Sequence, residues 1–199
     1  MQLKKIASRP PGKRKSAGFM LIEVLVSIGL SAVALLALAS LNASALRYTK
    51  MSQYRALATH LASDIGERMR ANKGRAAEGG AAAEGFWAGD YDYSISFAGQ
   101  AAAVSAPVPR CNTAASVCST YALADLDMAQ WRFQARSVLP EGSVFVLRDS
   151  EAVAADVWIA WRDPLVAHRD EAPALANECA AGLAVSDPSI RCSYFRINL

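Results

Sequence analysis

Apolar and polar positions alternate along this chain with three different rhythms. From Met20 to Leu46 the side chains are apolar or small, and Glu23 is the one charge among them. A run of that length matches the roughly 20 residues that a helix needs to cross a bilayer. From Arg47 onward polar groups return, but Leu57, Leu61, Ile65 and Met69 recur at every fourth position while Arg55, His60, Asp64, Glu67, Arg68 and Arg70 fill the other faces. That period marks an amphipathic helix. No proline lies between Phe19 and Ala71, and Gly29 and Gly66 are the only glycines there, each costing up to about 1 kcal/mol relative to alanine. Asn72-Lys73-Gly74 supplies a helix stop. The pattern therefore predicts one helix from about Met20 to Asn72, roughly 80 Å long at 1.5 Å per residue. Its first half is dressed for lipid and its second half for packing on a folded domain.

The period then changes. Gly74–Gly85 is a low-complexity Gly/Ala/Glu connector, flexible by composition. Tyr91, Tyr93, Ile95 and Phe97 alternate with Asp92, Ser94 and Ser96, which predicts a half-buried strand. Pro107 and Pro109 mark a loop ending in Cys111, and Ser119 to about Val138 returns to helical spacing until Leu139-Pro140-Glu141-Gly142 breaks it. Ser143–Arg148 and Asp156–Arg162 read as strands. The second has apolar groups on both faces, Val157, Ile159 and Trp161 against Trp158 and Ala160, which predicts a central position in the sheet. Asp163–Ser189 has no sustained period and reads as a surface loop, and Tyr194–Leu199 closes the chain as a last strand. The fold class expected is α+β, a long N-terminal helix packed on a small antiparallel β-sheet domain.

Charge changes the picture at one end only. The net charge of +3 arises because Lys4, Lys5, Arg9, Lys13, Arg14 and Lys15 precede the apolar run with no acid among them. Without residues 1–18 the balance is 15 basic against 18 acidic side chains, a net of −3, which offers no broad footprint for nucleic acid. Basic residues ahead of an apolar helix hold that end in the cytoplasm and send the chain beyond the helix across the membrane. The four cysteines then meet an oxidising compartment. They allow three pairings, and pairing between sequence neighbours, Cys111 with Cys118 and Cys179 with Cys192, is the expectation, each loop contributing roughly 2.5–3 kcal/mol in the chain-entropy model. Neither pair has the spacing of a metal site, and neither His60 nor His168 adjoins one. Asp125 and Asp127, two apart on a helix, do not face each other as an acid/base pair would. No Gly-x-Ser-x-Gly, His-Glu-x-x-His or phosphate loop is present, so neither an enzyme nor a cofactor is expected.

Glu23 is costly where it stands. A carboxylate within an apolar segment costs about 2.5–3.5 kcal/mol on insertion scales and calls for a partner. With the basic leader, Gly18, Phe19 and the run Met20-Leu21-Ile22 before it, the segment resembles the leader of type IV pilins and type II secretion pseudopilins. The resemblance implies that a prepilin peptidase cuts between Gly18 and Phe19 and methylates the Phe19 amine. Glu23 would then pair with the Phe19 ammonium of a neighbouring subunit during assembly. It divides the chain into a leader 1–18, a membrane and polymerisation segment 19–46 and an exported domain 47–199. Two small-x-small triplets, Ala37-Leu38-Ala39 and Ala43-Ser44-Ala45, also fit an ordinary signal peptide, but the apolar run exceeds the usual 7–15 residues and contains Glu23.

Further pieces are similar to minor pilins of the PilV type: Leu61 to Asn72 at the helix end, Cys118-Ser119-Thr120, Leu126-Asp127-Met128-Ala129-Gln130-Trp131, Leu139-Pro140-Glu141-Gly142 and Arg191-Cys192. That resemblance implies a structural role in priming pilus assembly, near the pilus tip, supporting twitching motility and adhesion. It implies other minor pilins, the major pilin and the inner-membrane assembly platform as partners, and passage from inner membrane to cell surface. A type II secretion pseudopilin is the nearest alternative, since it would share the leader and the helix. An exported adhesin or DNA-binding module is another, with Arg110, Arg132, Arg136, Arg148, Arg162, Trp87 and the tyrosines as its contacts.

Overall fold

A computed structural model describes residues 20–108, 111, 116–163 and 178–199. By internal contacts it divides into two compact units, 1–44 and 45–199. Helix α1, Leu21–Ala71, is 51 residues long. In the first unit every described side chain from Met20 to Ser44 is exposed.

The second unit is an α+β domain. The C-terminal part of α1 and helix α2 (Thr120–Val138) cover one face of a three-stranded antiparallel sheet, β1 (Ser143–Asp149), β2 (Ala154–Arg162) and β3 (Ile190–Asn198). The strand order is β1-β2-β3. β2 is thus central, as its two-sided apolar pattern requires. Helix α2 starts where Ser119 Oγ accepts from the Ala122 N–H at 3.1 Å, which satisfies one of the donors that a helix start leaves open.

Period-2 alternation sorts the sheet into two faces. Val144, Val146, Val157, Ile159, Trp161 and Ile197 point to the helices and meet Ala58, Leu61, Ile65 and Met69 of α1 and Met128, Trp131 and Ala135 of α2. Phe145, Trp158, Ala160, Ile190 and Cys192 point the other way, where Leu183 and Phe97 cover them. Residues 164–177 of the expected surface loop lie outside the described residues. Its later part is not all surface: Leu183, in a short turn at Ala181–Leu183, is fully buried against that second face.

One expectation from periodicity needs correction. The segment Tyr91–Phe97 is not a strand, and its one backbone bridge joins Tyr93 to Val146. Burial follows the alternation only in part: Tyr91 is buried and Tyr93 half-buried, but Ile95 is exposed. The edge of β1, however, is closed by side chains on either side of that bridge. Gln100 meets both backbone groups of Val144, donating from Nε2 at 2.9 Å and accepting at Oε1 at 3.1 Å. Tyr93 exchanges both backbone bonds with Val146 at 2.9 and 2.8 Å, and Asp92 Oδ1 accepts from the Arg148 N–H at 2.9 Å. A chain that satisfies alternate edge groups with side chains need not stay extended.

The connector from Gly74 to Gly85 is closed at its ends. Its chain folds back on itself through a Glu78–Ala81 bridge, and the Glu84 N–H donates to the Arg75 carbonyl at 3.0 Å. Where the two arms cross, both glycines have positive φ. A Cβ on Gly74 would lie 2.1 Å from the Glu84 carbonyl oxygen, and one on Gly85 2.4 Å from that of Asn72. Those positions require glycine for closeness as well as conformation.

Disulfides join Cys111 to Cys118 and Cys179 to Cys192, with Cα–Cα separations of 5.6 and 5.1 Å. The segment leading into β3 is also clamped by Arg162, whose guanidinium donates to Glu141, Asp187 and Ser189. Bonds from the Ser189 hydroxyl and N–H, and then from Arg162, push the Asp187 carboxyl down to about 2. Bonding to Arg162 also lowers Glu141. Because these groups titrate lower in the folded state, their contribution is fully present above the unfolded carboxylate range near 4 and is lost as pH falls toward 2. We expect Asp187→Asn to lower the thermal midpoint of the full chain in detergent at pH 6, and the gap from wild type to close progressively between pH 4 and 2. A gap that stays constant across that range would mean that the clamp does not stabilise the domain.

Candidate functional site

The candidate site is α1 itself and the groups that anchor its end. In the first unit, Glu23 sits in the first turn of the helix and is exposed. Among the described residues its carboxylate has no recorded partner. Gly18 and Phe19, the residues expected to flank the leader cleavage, lie outside the described residues. The hydroxyls beyond Glu23 are turned inward on the helix. Ser27 bonds back to the Glu23 carbonyl at 2.7 Å and Ser31 to that of Ser27 at 2.8 Å. Ser40, Ser44 and Thr49 likewise donate to carbonyls three or four residues earlier. Self-satisfied hydroxyls remove most of the polar cost of placing such a helix in hydrocarbon. Among the described residues α1 is the one helix long and apolar enough to cross a membrane.

In the second unit the helix end is fastened by a polar network inside the domain. Arg68 donates from Nε to Asp64 at 3.0 Å and from Nη1 to Asp127 Oδ1 at 3.0 Å and Gln130 Oε1 at 2.9 Å. The other oxygen of Asp127 accepts from the Tyr91 hydroxyl at 2.8 Å. Asn72 Nδ2 donates to that same hydroxyl oxygen and to the Thr120 carbonyl, at 3.1 and 2.8 Å. Further back along α1, Trp131 Nε1 donates to the Leu61 carbonyl at 2.8 Å, with the indole fully buried. Burial, together with the neighbouring Asp127 carboxylate, pushes the Tyr91 hydroxyl well above the ordinary phenol range, so it remains a donor at any physiological pH.

This network brings together two stretches that are roughly 60 to 70 residues apart in sequence, Leu61–Asn72 and Leu126–Trp131. They are pieces on which the resemblance to minor pilins rests. In the sequence Asp127 figures as half of a rejected acid/base pair and as one residue of the Leu126–Trp131 piece. Its role as the acceptor joining both helices to Tyr91 is not visible there. The available signal is the single acid flanked by Leu126 and Met128, a charge on a face that has to be buried.

Other candidates do not assemble into a site. His60 is exposed on α1, and His168 lies outside the described residues. Among the described residues no group of three or more His, Cys, Asp or Glu side chains is placed to hold a metal ion. A shallow cleft of about 260 Å³ lined by Asp90, Asp92, Tyr93, Asp125 and Arg132 collects three acids, with the Arg132 guanidinium 4.3 Å from the centre of the Tyr93 ring. Burial raises Asp92 against the lowering effect of the Arg148 N–H. The Asp92 carboxylate already serves the β1 edge.

No protein-family model matches the chain, and neither a curated protein nor a solved structure matches it.

Removing the shared acceptor is the sharpest test of the anchor. Arg68 keeps 26% of its side-chain exposure and Asp127 13%, so the pair is largely desolvated. Asp127→Ala should destabilise the domain by about 2–3 kcal/mol, since it strands Arg68 and Tyr91 together. Tyr91→Phe should cost about 1 kcal/mol. In the double variant the two losses should sum to less than their separate values, read by denaturant unfolding. Strict additivity would mean that the groups are neighbours without being coupled.

Proposed function

We propose that this chain is a minor pilin of the PilV type, a membrane-held subunit that enters a type IV pilus assembly and primes it or sits near its tip. The observation that carries the reading is the uninterrupted helix Leu21–Ala71. Its first half has no charge but Glu23, and its second half is built into a folded domain. An exported soluble domain needs only a cleavable signal. A helix that continues from an apolar segment into the domain core, with one carboxylate four residues beyond Phe19, instead suits a subunit drawn out of a membrane into a polymer. In hydrocarbon, a carboxylate and the amine of a neighbour each favour the arrangement that brings them together.

On this reading the peptidase removes residues 1–18 and methylates Phe19, the helix holds the chain in the inner membrane with its domain in the periplasm, and assembly carries it to the pilus surface. Other minor pilins, the major pilin and the inner-membrane assembly platform are its partners, and adhesion and twitching motility follow from the assembled fibre. The same leader and helix would serve a type II secretion pseudopilin. The meeting of Leu61–Asn72 with Leu126–Trp131 through Arg68, Asp127 and Trp131 favours the minor pilin.

The deciding measurement is the intact mass and N-terminal sequence of the protein from native membranes. We expect a chain starting at methylated Phe19; one starting at Ser40 or Leu46 would mean ordinary secretion. Glu23→Ala should still be inserted and cleaved but should fall at least tenfold in the assembled fraction. Normal incorporation would dismiss intersubunit pairing by Glu23.

A further inference from the structure

The two edges of the sheet are treated differently. On β1 the outward-pointing groups of Val144, Val146 and Arg148 are met in turn by Gln100, Tyr93 and Asp92. On β3 the outward-pointing residues are Cys192, Tyr194, Arg196 and Asn198. This follows from the Cys192 N–H donating outward to Glu178 at 3.4 Å and the Asn198 carbonyl accepting from Arg70 at 2.9 Å, because backbone direction alternates along a strand. Between those two side-chain caps, the N–H and C=O groups of Tyr194 and Arg196 have no recorded partner among the described residues, and Tyr194 is 48% exposed. Beside them runs a groove of about 370 Å³ between β3 and α1, floored by Ala62, Ser63 and Gly66. Proteins ordinarily blunt such an edge, as this one does on β1.

We propose that the β3 edge receives an extended strand from a neighbouring subunit of different sequence, paired to Tyr194 and Arg196. The inference rests on the assembly reading. Donors and acceptors that recur at every second residue are complementary to another extended chain. Arg70 is already paired with Glu67, and the Arg196 side chain points to the opposite face of the sheet, where it is paired with Asp149 and Asp156, so the edge is distinguished by its backbone groups and not by charge. A second copy of this chain cannot offer its β1 edge, which Gln100, Tyr93 and Asp92 already close.

The test is single-residue amide hydrogen exchange on the full chain, free in detergent and in the assembled fraction. The Tyr194 and Arg196 amides should exchange at least tenfold more slowly in the assembly, while those of Ser193 and Phe195, which face β2, stay protected in both states. Arg196→Pro removes one outward N–H without touching the β2–β3 ladder, and should deplete the chain from the assembled fraction at least tenfold; Arg196→Lys, which keeps both the N–H and the charge, should not. If the Pro variant does not fold, the wild-type exchange decides. Equal exchange at Tyr194 and Arg196 in the two states overturns strand pairing and leaves the assembly reading intact. Protection in the free chain that vanishes on dilution assigns the edge to a second copy and overturns the proposal. A chain found in no assembly overturns both readings.

Discussion

One helix, α1, has to satisfy its backbone and side chains under two incompatible sets of rules. Near Glu23, among the described residues of the first unit, nothing competes for its groups, and the hydroxyls of Ser27, Ser31 and Ser40 fold back onto carbonyls of the same helix. Beyond Tyr54 the opposite holds, and the helix gives up self-sufficiency. The Leu61 carbonyl accepts from an indole of α2, and Arg68 commits its guanidinium to α2 as well as to its own turn. The rest of the domain depends on that exchange. Helix α2 must carry an acid and a tryptophan one turn apart, and Tyr91 must reach the acid from a segment that otherwise has little regular structure.

Helix and strand positions are legible in the sequence because they are consequences of spacing. The four-residue recurrence from Leu57 to Met69 marks the side of α1 that packs, and the two-sided apolar pattern of Val157 to Trp161 marks the middle strand. Tyr91–Phe97 departs from its pattern for an instructive reason. Alternation marks side chains that could be buried, of which Tyr91 is and Ile95 is not, whereas a strand also requires its backbone groups to be matched by another backbone. Here Asp92 and Gln100 do that matching with side chains, and no period of apolar residues encodes it. Gly74 and Gly85 present the complementary case. Composition marks them as flexible, but their role is a close backbone crossing set by residues 11 apart. Glu23 stands out at once because a lone charge in an apolar run is local information; Asp127 does not, because its partners come from separate segments.

Two acids divide the labour of this chain. Asp127 is fully served within the domain, by Arg68 and Tyr91, and so acts as a fixed internal joint. Glu23 has no recorded partner among the described residues, although it occupies the segment where an unpaired charge is most costly in lipid. A chain that satisfies Asp127 with such thoroughness has the means to supply Glu23 with a neighbouring cation, and the helix i+4 position, Ser27, is instead turned to a backbone carbonyl.

The same asymmetry is present at the sheet. Three devices of different kinds, an amide side chain, a backbone bridge and a carboxylate, close successive positions on β1, while on β3 side chains close the ends of the edge and leave its middle. Leaving backbone groups open at Tyr194 and Arg196 brings a standing risk of misassociation. On the assembly proposal Glu23 would also take its partner from another chain, and that risk would then have a use: both features would become favourable only when a second chain arrives. On this view the stability of the free domain and its readiness to assemble are set by separate groups, the first by the Arg68–Asp127 joint and the second by Glu23 and the β3 edge.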